Sequence, residues 1–346
     1  MKNVIIFVFV LFLQACGQSN TPLETINGRT MGTTYTLKFT YNQQASESTP
    51  TRAQIEEAIQ DELVQINALM STYIEDSELS LLNKAPANTP FEVSDQTAFV
   101  INEALRINTL SEGMLDITVG PLVNLWGFGP QSRPEILPSK EDLALISRYV
   151  GVDKFSIKGN VVKKAHSKVY IDLSTIAKGY AVDRLALILE KRGIKNYLVE
   201  IGGEMRLSGT KPNNQQWLVA IEKPSTTERS AQSVISIGNN AIASSGDYRN
   251  YFEEEGVRYS HLIDPSTGAP IQHNLVSVSV VAKSSMTADG LATALIVLGK
   301  DRGFLIAEKN NIAALFITKE GEDFVEYPTS AYNAQVNVIK PSNSGL

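Results

Sequence analysis

The chain has 346 residues, of which 43% are hydrophobic and 20% charged with both signs interspersed, enough for one large core or two intimately joined ones. A net charge of -6 and a pI near 5.3 argue against a nucleic-acid partner, which favours a basic surface. A single cysteine rules out an internal disulfide framework, and three histidines with none closely paired give no reason to expect zinc.

The chain opens with Lys2, an apolar run from Val4 to Leu13 too short to span a bilayer, and Leu13-Gln14-Ala15-Cys16. This pattern resembles a bacterial lipoprotein signal, in which the peptide bond before the cysteine is cut. Residues 1–15 are then a signal peptide and Cys16 is the lipid-bearing first residue of the mature chain. Residues 16–24 form a polar tether, and 25–346 form a single domain or two intimately joined subdomains. The expected location is the periplasmic side of a bacterial membrane, the inner ahead of the outer, with acyl chains as the anchor. The competing reading is an ordinary signal peptide with an incidental cysteine.

Arg29 to Thr40 alternates and is rich in Thr, Tyr and Phe, which predicts a strand with Met31-Gly32-Thr33 near its start. Ile55, Ile59, Leu63, Ile66 and Met70 recur at helical spacing and lead to Ser71-Thr72-Tyr73. Residues 83–93 read as a loop, and Ser94 caps a helix carrying Val100, Ile101, Ala104, Leu105 and Ile107. From Glu112 to Pro130, glycines and prolines break an apolar segment holding Met114, Leu115, Trp126 and Phe128. It suits a wall for a flat ligand, or a buried Gly-rich loop with no ligand. Ser139 caps a short helix, and Lys158-Gly159-Asn160 predicts a hairpin turn.

Val169-Tyr170-Ile171 predicts a strand that runs through Asp172-Leu173-Ser174-Thr175 into a helix at Ile176-Ala177-Lys178-Gly179. Free backbone N–H groups beside Asp172, Ser174 and Lys178 would suit a phosphate or the polar edge of a heterocycle. The alternative is a capped helix with a surface lysine. Further strands are expected at Tyr197–Ile201, Met205–Ser208, Trp217–Glu222, Val234–Ile237, Ala241–Ser244, Tyr259–Pro265 and Leu275–Ala282. Turns follow at Ser245-Gly246-Asp247-Tyr248 and Pro265-Ser266-Thr267-Gly268. Ser284 to Gly299 predicts a buried helix capped by Ser285 or Thr287, with Asp289 in its first turn. Asp289 and Thr293 lie four apart, so a carboxylate and a hydroxyl share one face and could hold a hard cation such as Mg2+; dipole complementation and packing are the alternatives. A helix near 301–309 and strands near 312–317 and 323–327 complete an α+β chain with mixed or antiparallel sheets and packed helices.

Six stretches in order now stand out. They are Met31-Gly32-Thr33; Gly113 to Val123 with Trp126 to Gly129; Asp172 to Thr175 with Lys178-Gly179; Glu200 to Glu204; His261 to Pro265; and Met286 to Asp289 with Thr293. Together they resemble the ApbE family of FAD:protein FMN transferases, from about residue 28 to the end. The resemblance implies a T-fold-related architecture and a Mg2+-dependent enzyme. Such an enzyme takes FAD, attaches FMN through a phosphoester to a Thr or Ser hydroxyl of an exported or membrane redox protein, and releases AMP. It puts flavin-nucleotide contacts on Met31, Tyr73, Met114, Leu115, Asp116, Asp172, Lys178 and Ile263, the family varying between Lys and an acid at the Lys178 position. It puts metal ligands on Asp289, Thr293 and Thr175, the last through its backbone carbonyl. The acceptor hydroxyl must lose a proton, and His261 is the best candidate base. A FAD pyrophosphatase, or a flavin-binding lipoprotein without turnover, would carry the same stretches.

Overall fold

The structure is a computed structural model that describes residues 22–41, 50–129, 137–224, 230–248, 250–254 and 256–339. Cys16 and the predicted signal lie outside the described residues. Among the described residues, no helix is long and apolar enough to cross a membrane.

An eight-stranded antiparallel sheet forms the frame: β1 (Leu23–Thr30), β2 (Thr33–Thr40), β3 (Tyr197–Ile201), β4 (Glu204–Ser208), β5 (Ala241–Gly246), β6 (Leu275–Ala282), β7 (Ala313–Glu320) and β8 (Asp323–Pro328). Its spatial order is its chain order, so the helices enter as insertions between neighbouring strands, except the last, which follows β8. They are α1 (Arg52–Met70), α2 (Glu78–Lys84), α3 (Asp95–Leu110), α4 (Gly120–Leu125), α5 (Lys140–Ser147), α6 (Ala177–Lys191), α7 (Ser285–Leu298), α8 (Lys300–Lys309) and α9 (Ser330–Gln335).

Strand alternation divides the apolar residues between two layers. Ala314 and Phe316 of β7 join the buried faces of α1, α3, α6 and α7, while Ala313, Leu315 and Ile317 face a second cluster with Trp217, Ile235 and Tyr332. That second layer is a three-stranded sheet, Val219–Glu222, Ala231–Ser236 and Asn337–Val338, with α9 beside it. Helix α7 has every residue but Thr287 buried, as expected of a helix apolar nearly all round. The fold is α+β with antiparallel sheets and packed helices, as the sequence predicts.

Several boundaries move. The single strand expected over Arg29–Thr40 is a hairpin, because Met31 (φ 48°) and Gly32 (φ 74°) form a two-residue turn whose twist suits antiparallel strands. Only Ile26 of β1 is fully buried, which is why its sequence does not read as a strand. Val169-Tyr170-Ile171 joins no ladder. The Asn83 side chain replaces a partner strand: Ile171 N–H donates to its Oδ1 at 2.7 Å, and its Nδ2 donates to the Ile171 carbonyl at 2.8 Å. The loop expected at 83–93 includes the end of α2 and a short strand at Phe91–Glu92. Ser245 and Gly246 belong to β5 rather than to a turn. The strand expected at Tyr259–Pro265 is two strands, Val257–Ser260 and Ile263–Asp264, broken at His261-Leu262.

Candidate active site

Helices α6 and α7 start side by side and exchange acids. The α7 N-cap is Ser284, whose Oγ accepts from Thr287 N–H at 3.2 Å, so the helix begins earlier than a Ser285 or Thr287 cap requires. Asp289 consequently lies in the second turn, and the first turn has no acid of its own. Asp183 of α6 supplies one. Its carboxylate accepts from the backbone N–H groups of Ser285 and Met286, each at 3.0 Å, and from Ser284 Oγ at 2.7 Å. In return, Asp289 Oδ2 accepts from Gly179 N–H at 2.9 Å in the first turn of α6. The helices touch there: a Cβ on Gly179 would lie 2.3 Å from the Ser285 carbonyl oxygen.

This contact sets the oxygen-rich wall of a cavity of about 550 Å³. Thr293, one turn beyond Asp289, shares a hydrogen bond with Ser245 Oγ of β5 at 3.1 Å. Thr175 Oγ1, just before α6, is buried with no hydrogen-bond partner among the described residues. Glu204 at the start of β4 is 3% exposed; its Oε1 accepts from Lys178 Nζ at 2.5 Å and its Oε2 is buried with no hydrogen-bond partner among the described residues. Burial pushes the Asp289 carboxyl up to about 7; the Lys178 charge opposes this, the Glu204 charge adds to it, and the Gly179 N–H opposes it.

The other walls come from the Gly-rich segment after α3, the residues after α1 and several strand ends. Met114, Leu115 and Asp116 line the cavity, as do Tyr73 at its mouth, 72% exposed, and Ile263. Asp116 Oδ1 accepts from Thr118 N–H at 2.7 Å and Thr118 Oγ1 at 2.6 Å, yet burial still raises its pKa. Asp172 also lines the cavity, but two of the N–H groups expected to be free there, its own and that of Ser174, are already used. Its own N–H donates to the Ile117 carbonyl at 2.7 Å, and its Oδ1 accepts from Ser174 N–H at 2.8 Å. The N–H of Gly179 goes to Asp289, as above, so the start of α6 serves α7 more than an anion. Met31 stands apart: it sits in the β1–β2 turn, packs against the main core and is not among the residues lining the cavity.

His261 is at the break between the two short strands and is half-buried on the cavity wall. Its Nδ1 is 3.0 Å from the Asn250 carbonyl oxygen, which also accepts the His261 backbone N–H at 3.1 Å. A carbonyl can only accept, so the neutral ring carries its hydrogen on Nδ1 and keeps the lone pair on Nε2. Burial pushes the imidazole pKa down; the Asn250 bond opposes this and the Lys178 charge adds to it. The ring is therefore kept neutral, as a general base requires.

The cavity thus unites Tyr73, Met114, Leu115, Asp116, Asp172 and Ile263 with Thr175, Lys178, His261, Asp289 and Thr293. Sequence reasoning did not single out Glu204, Ser245 or Asn250 as site residues. Glu204 ends a stretch flagged in the sequence, but its partner is fixed by a hairpin meeting a helix; nothing local marks Ser245 or Asn250. The donors gathered beside Asp289 are oxygens, which suits a hard cation, and the two unpartnered buried oxygens of Thr175 and Glu204 lack a donor that such an ion would offset.

Residues 31–316 match the family model described as ApbE family. The chain belongs to the ApbE family. It is 48% identical over 332 residues to a FAD:protein FMN transferase of Vibrio cholerae, covering 96% of this chain and 98% of the relative. It is 38% identical over 337 residues to the Escherichia coli K12 protein of that name, covering 93% of each. The solved flavin transferase ApbE from Vibrio cholerae superposes with a TM-score of 0.84 at 48% identity, over 91% of this chain and 100% of that one. The apo flavinyl transferase ApbE of Pseudomonas stutzeri does so with 0.83 at 38% identity, over 91% and 96%. The antiparallel sheets and packed helices described above are the ApbE architecture.

Proposed function

We propose that this chain is a Mg2+-dependent FAD:protein FMN transferase, acting on a Thr or Ser hydroxyl of an exported or membrane redox protein and releasing AMP. Family membership supports the flavin transfer. The observation that carries the chemistry is one cavity in which a buried carboxylate beside two threonines shares a space with a neutral histidine. Asp289, Thr293 and the Thr175 carbonyl would hold the Mg2+, which when bound supplies charge neutralisation for a pyrophosphate and its leaving phosphate. Tyr73, Met114 and Leu115 offer aromatic and soft apolar contact for the flavin or adenine rings. Nε2 of His261 takes the proton of the acceptor hydroxyl. The hydroxyl oxygen bonds to the FMN phosphorus, the bridging P–O bond breaks, and AMP leaves with the bridging oxygen. In this reading Cys16 carries the lipid that holds the enzyme on the periplasmic face of the membrane.

The test is incubation of the protein with FAD, Mg2+ and a candidate acceptor subunit, followed by mass spectrometry of the acceptor. FMN on a hydroxyl residue and an equal amount of AMP are expected, with Asp289→Asn giving neither while its circular dichroism is unchanged. Free FMN with AMP would replace transfer by hydrolysis, and intact FAD would leave only binding. Full activity of Asp289→Asn would remove the metal assignment.

A further inference from the structure

Four rings stand in a row behind His261. Trp126 stacks on Tyr259 with centroids 5.5 Å apart, Tyr259 on Phe252 at 5.1 Å, and Phe252 on Phe128 at 5.3 Å. Phe128 then meets the His261 ring edge-on, 6.3 Å between centroids and 66° between planes. The row is tied at one end and in its middle. Trp126 Nε1 donates to the Gly268 carbonyl at 2.8 Å, in the turn after Ile263–Asp264. Phe252 and Tyr259 face each other across the hairpin Tyr251–Glu254/Val257–Ser260. That hairpin is flanked by Asn250 and His261, the two residues joined by the ring hydrogen bond.

We propose that Phe128 is a positioning residue for His261: with the stack behind it, it sets the tilt of the imidazole so that Nε2 faces the cavity while Nδ1–H stays on the Asn250 carbonyl. The proposal rests on His261 being the base of the transfer reaction. An imidazole bonded through one nitrogen keeps freedom to rotate about that bond, and a hydrogen bond alone does not fix the plane of the ring. An edge-to-face aromatic contact has a preferred geometry and fills the space into which the ring would turn. The order of residues fits this use. Phe128 comes from the Gly-rich loop after α4, whereas Phe252 and Tyr259 come from the hairpin and His261 directly follows it, so the stack is also what joins these two walls of the cavity. Among the described residues, Phe128, the Asn250 carbonyl and, through its charge, Lys178 act on the ring.

Phe128 also lines the cavity, so contact with the flavin is the competing role. Phe128→Leu and Phe128→Tyr, each alone and with His261→Ala, separate the two. Two measurements are needed: kcat and KM for FAD, and the titration of His261 by NMR in the FAD-free protein. Phe128→Leu is expected to lower kcat by about tenfold, within the range that a misplaced base produces, with KM changed by less than about twofold. The His261 midpoint should rise toward the ordinary histidine value as water reaches the ring, and Phe128→Tyr should restore both readings. In the His261→Ala background Phe128→Leu should have no further effect on kcat. A raised KM with unchanged kcat, or an unmoved His261 midpoint, overturns the proposal. If His261→Ala keeps full activity while the midpoint still moves in Phe128→Leu, the base assignment falls and the ring contact stands, so the two failures are distinct.

Discussion

His261 shows what one residue's surroundings add to its type. A free histidine is half-protonated near 6.5, and burial with the Lys178 charge moves this one lower. The sign follows: with the folded-state pKa below the unfolded one, the unfolded chain binds the extra proton, so this group removes stability as pH falls below 6.5 toward the folded value. For activity the same shift means that His261 stays unprotonated, as a base must be, down to a pH below 6.5, so an acid limb of kcat/KM nearer pH 7 would belong to the buried Asp289 carboxyl instead. An NMR titration of His261 with its midpoint above 6.5 would contradict this. His261→Ala should lower kcat by about 10² to 10⁴ fold, with unchanged circular dichroism.

The exchanged acids are a property of two helices together. Asp183 accepts from two backbone N–H groups at the start of α7 and also pairs with Arg206 of β4 at 3.1 Å. Asp183→Ala leaves those donors without an acceptor in a place shielded from water. The loss expected is about 2 to 3 kcal/mol of unfolding free energy, the range for hydrogen bonds to charged groups. Urea denaturation measures it, and a change under about 0.5 kcal/mol, typical of a surface substitution, would mean that α7 is held by packing alone. The expectation that Asp289 complements its own helix dipole gives way here: Asp183 takes that role, and Asp289 instead serves the neighbouring helix and the cavity.

For the whole molecule, the chain-ordered sheet explains where the cavity is. The segment between β2 and β3 supplies Tyr73, Met114 to Asp116 and Asp172 to Lys178, and the segments around β6 supply His261, Ile263, Asp289 and Thr293. The sheet brings these ends together, and the site belongs to neither alone. Since every lining residue lies beyond the predicted signal and tether, Cys16→Ser should move the protein from the membrane pellet to the soluble fraction and leave kcat within about twofold, as expected where no site contact changes. Retention of the variant in the pellet would disprove a lipid anchor at that residue.

The sequence alone determined the elements with strong periodicity, such as α1 with Ile55 to Met70, and the short stretches that carry the ApbE resemblance. Those signals are local: apolar spacing and residue type repeat within a few positions, and the chain declares them before it folds. It did not determine that Val169 to Ile171 would be held by Asn83, that Asp183 and Asp289 would trade places, or which nitrogen of His261 would be free. The bond between Asp289 and Gly179 joins residues 110 apart, and that between Asn83 and Ile171 joins residues 88 apart. No neighbouring residue marks such a pairing, because it depends on which faces the sheet and helices bring into contact once their apolar sides are buried.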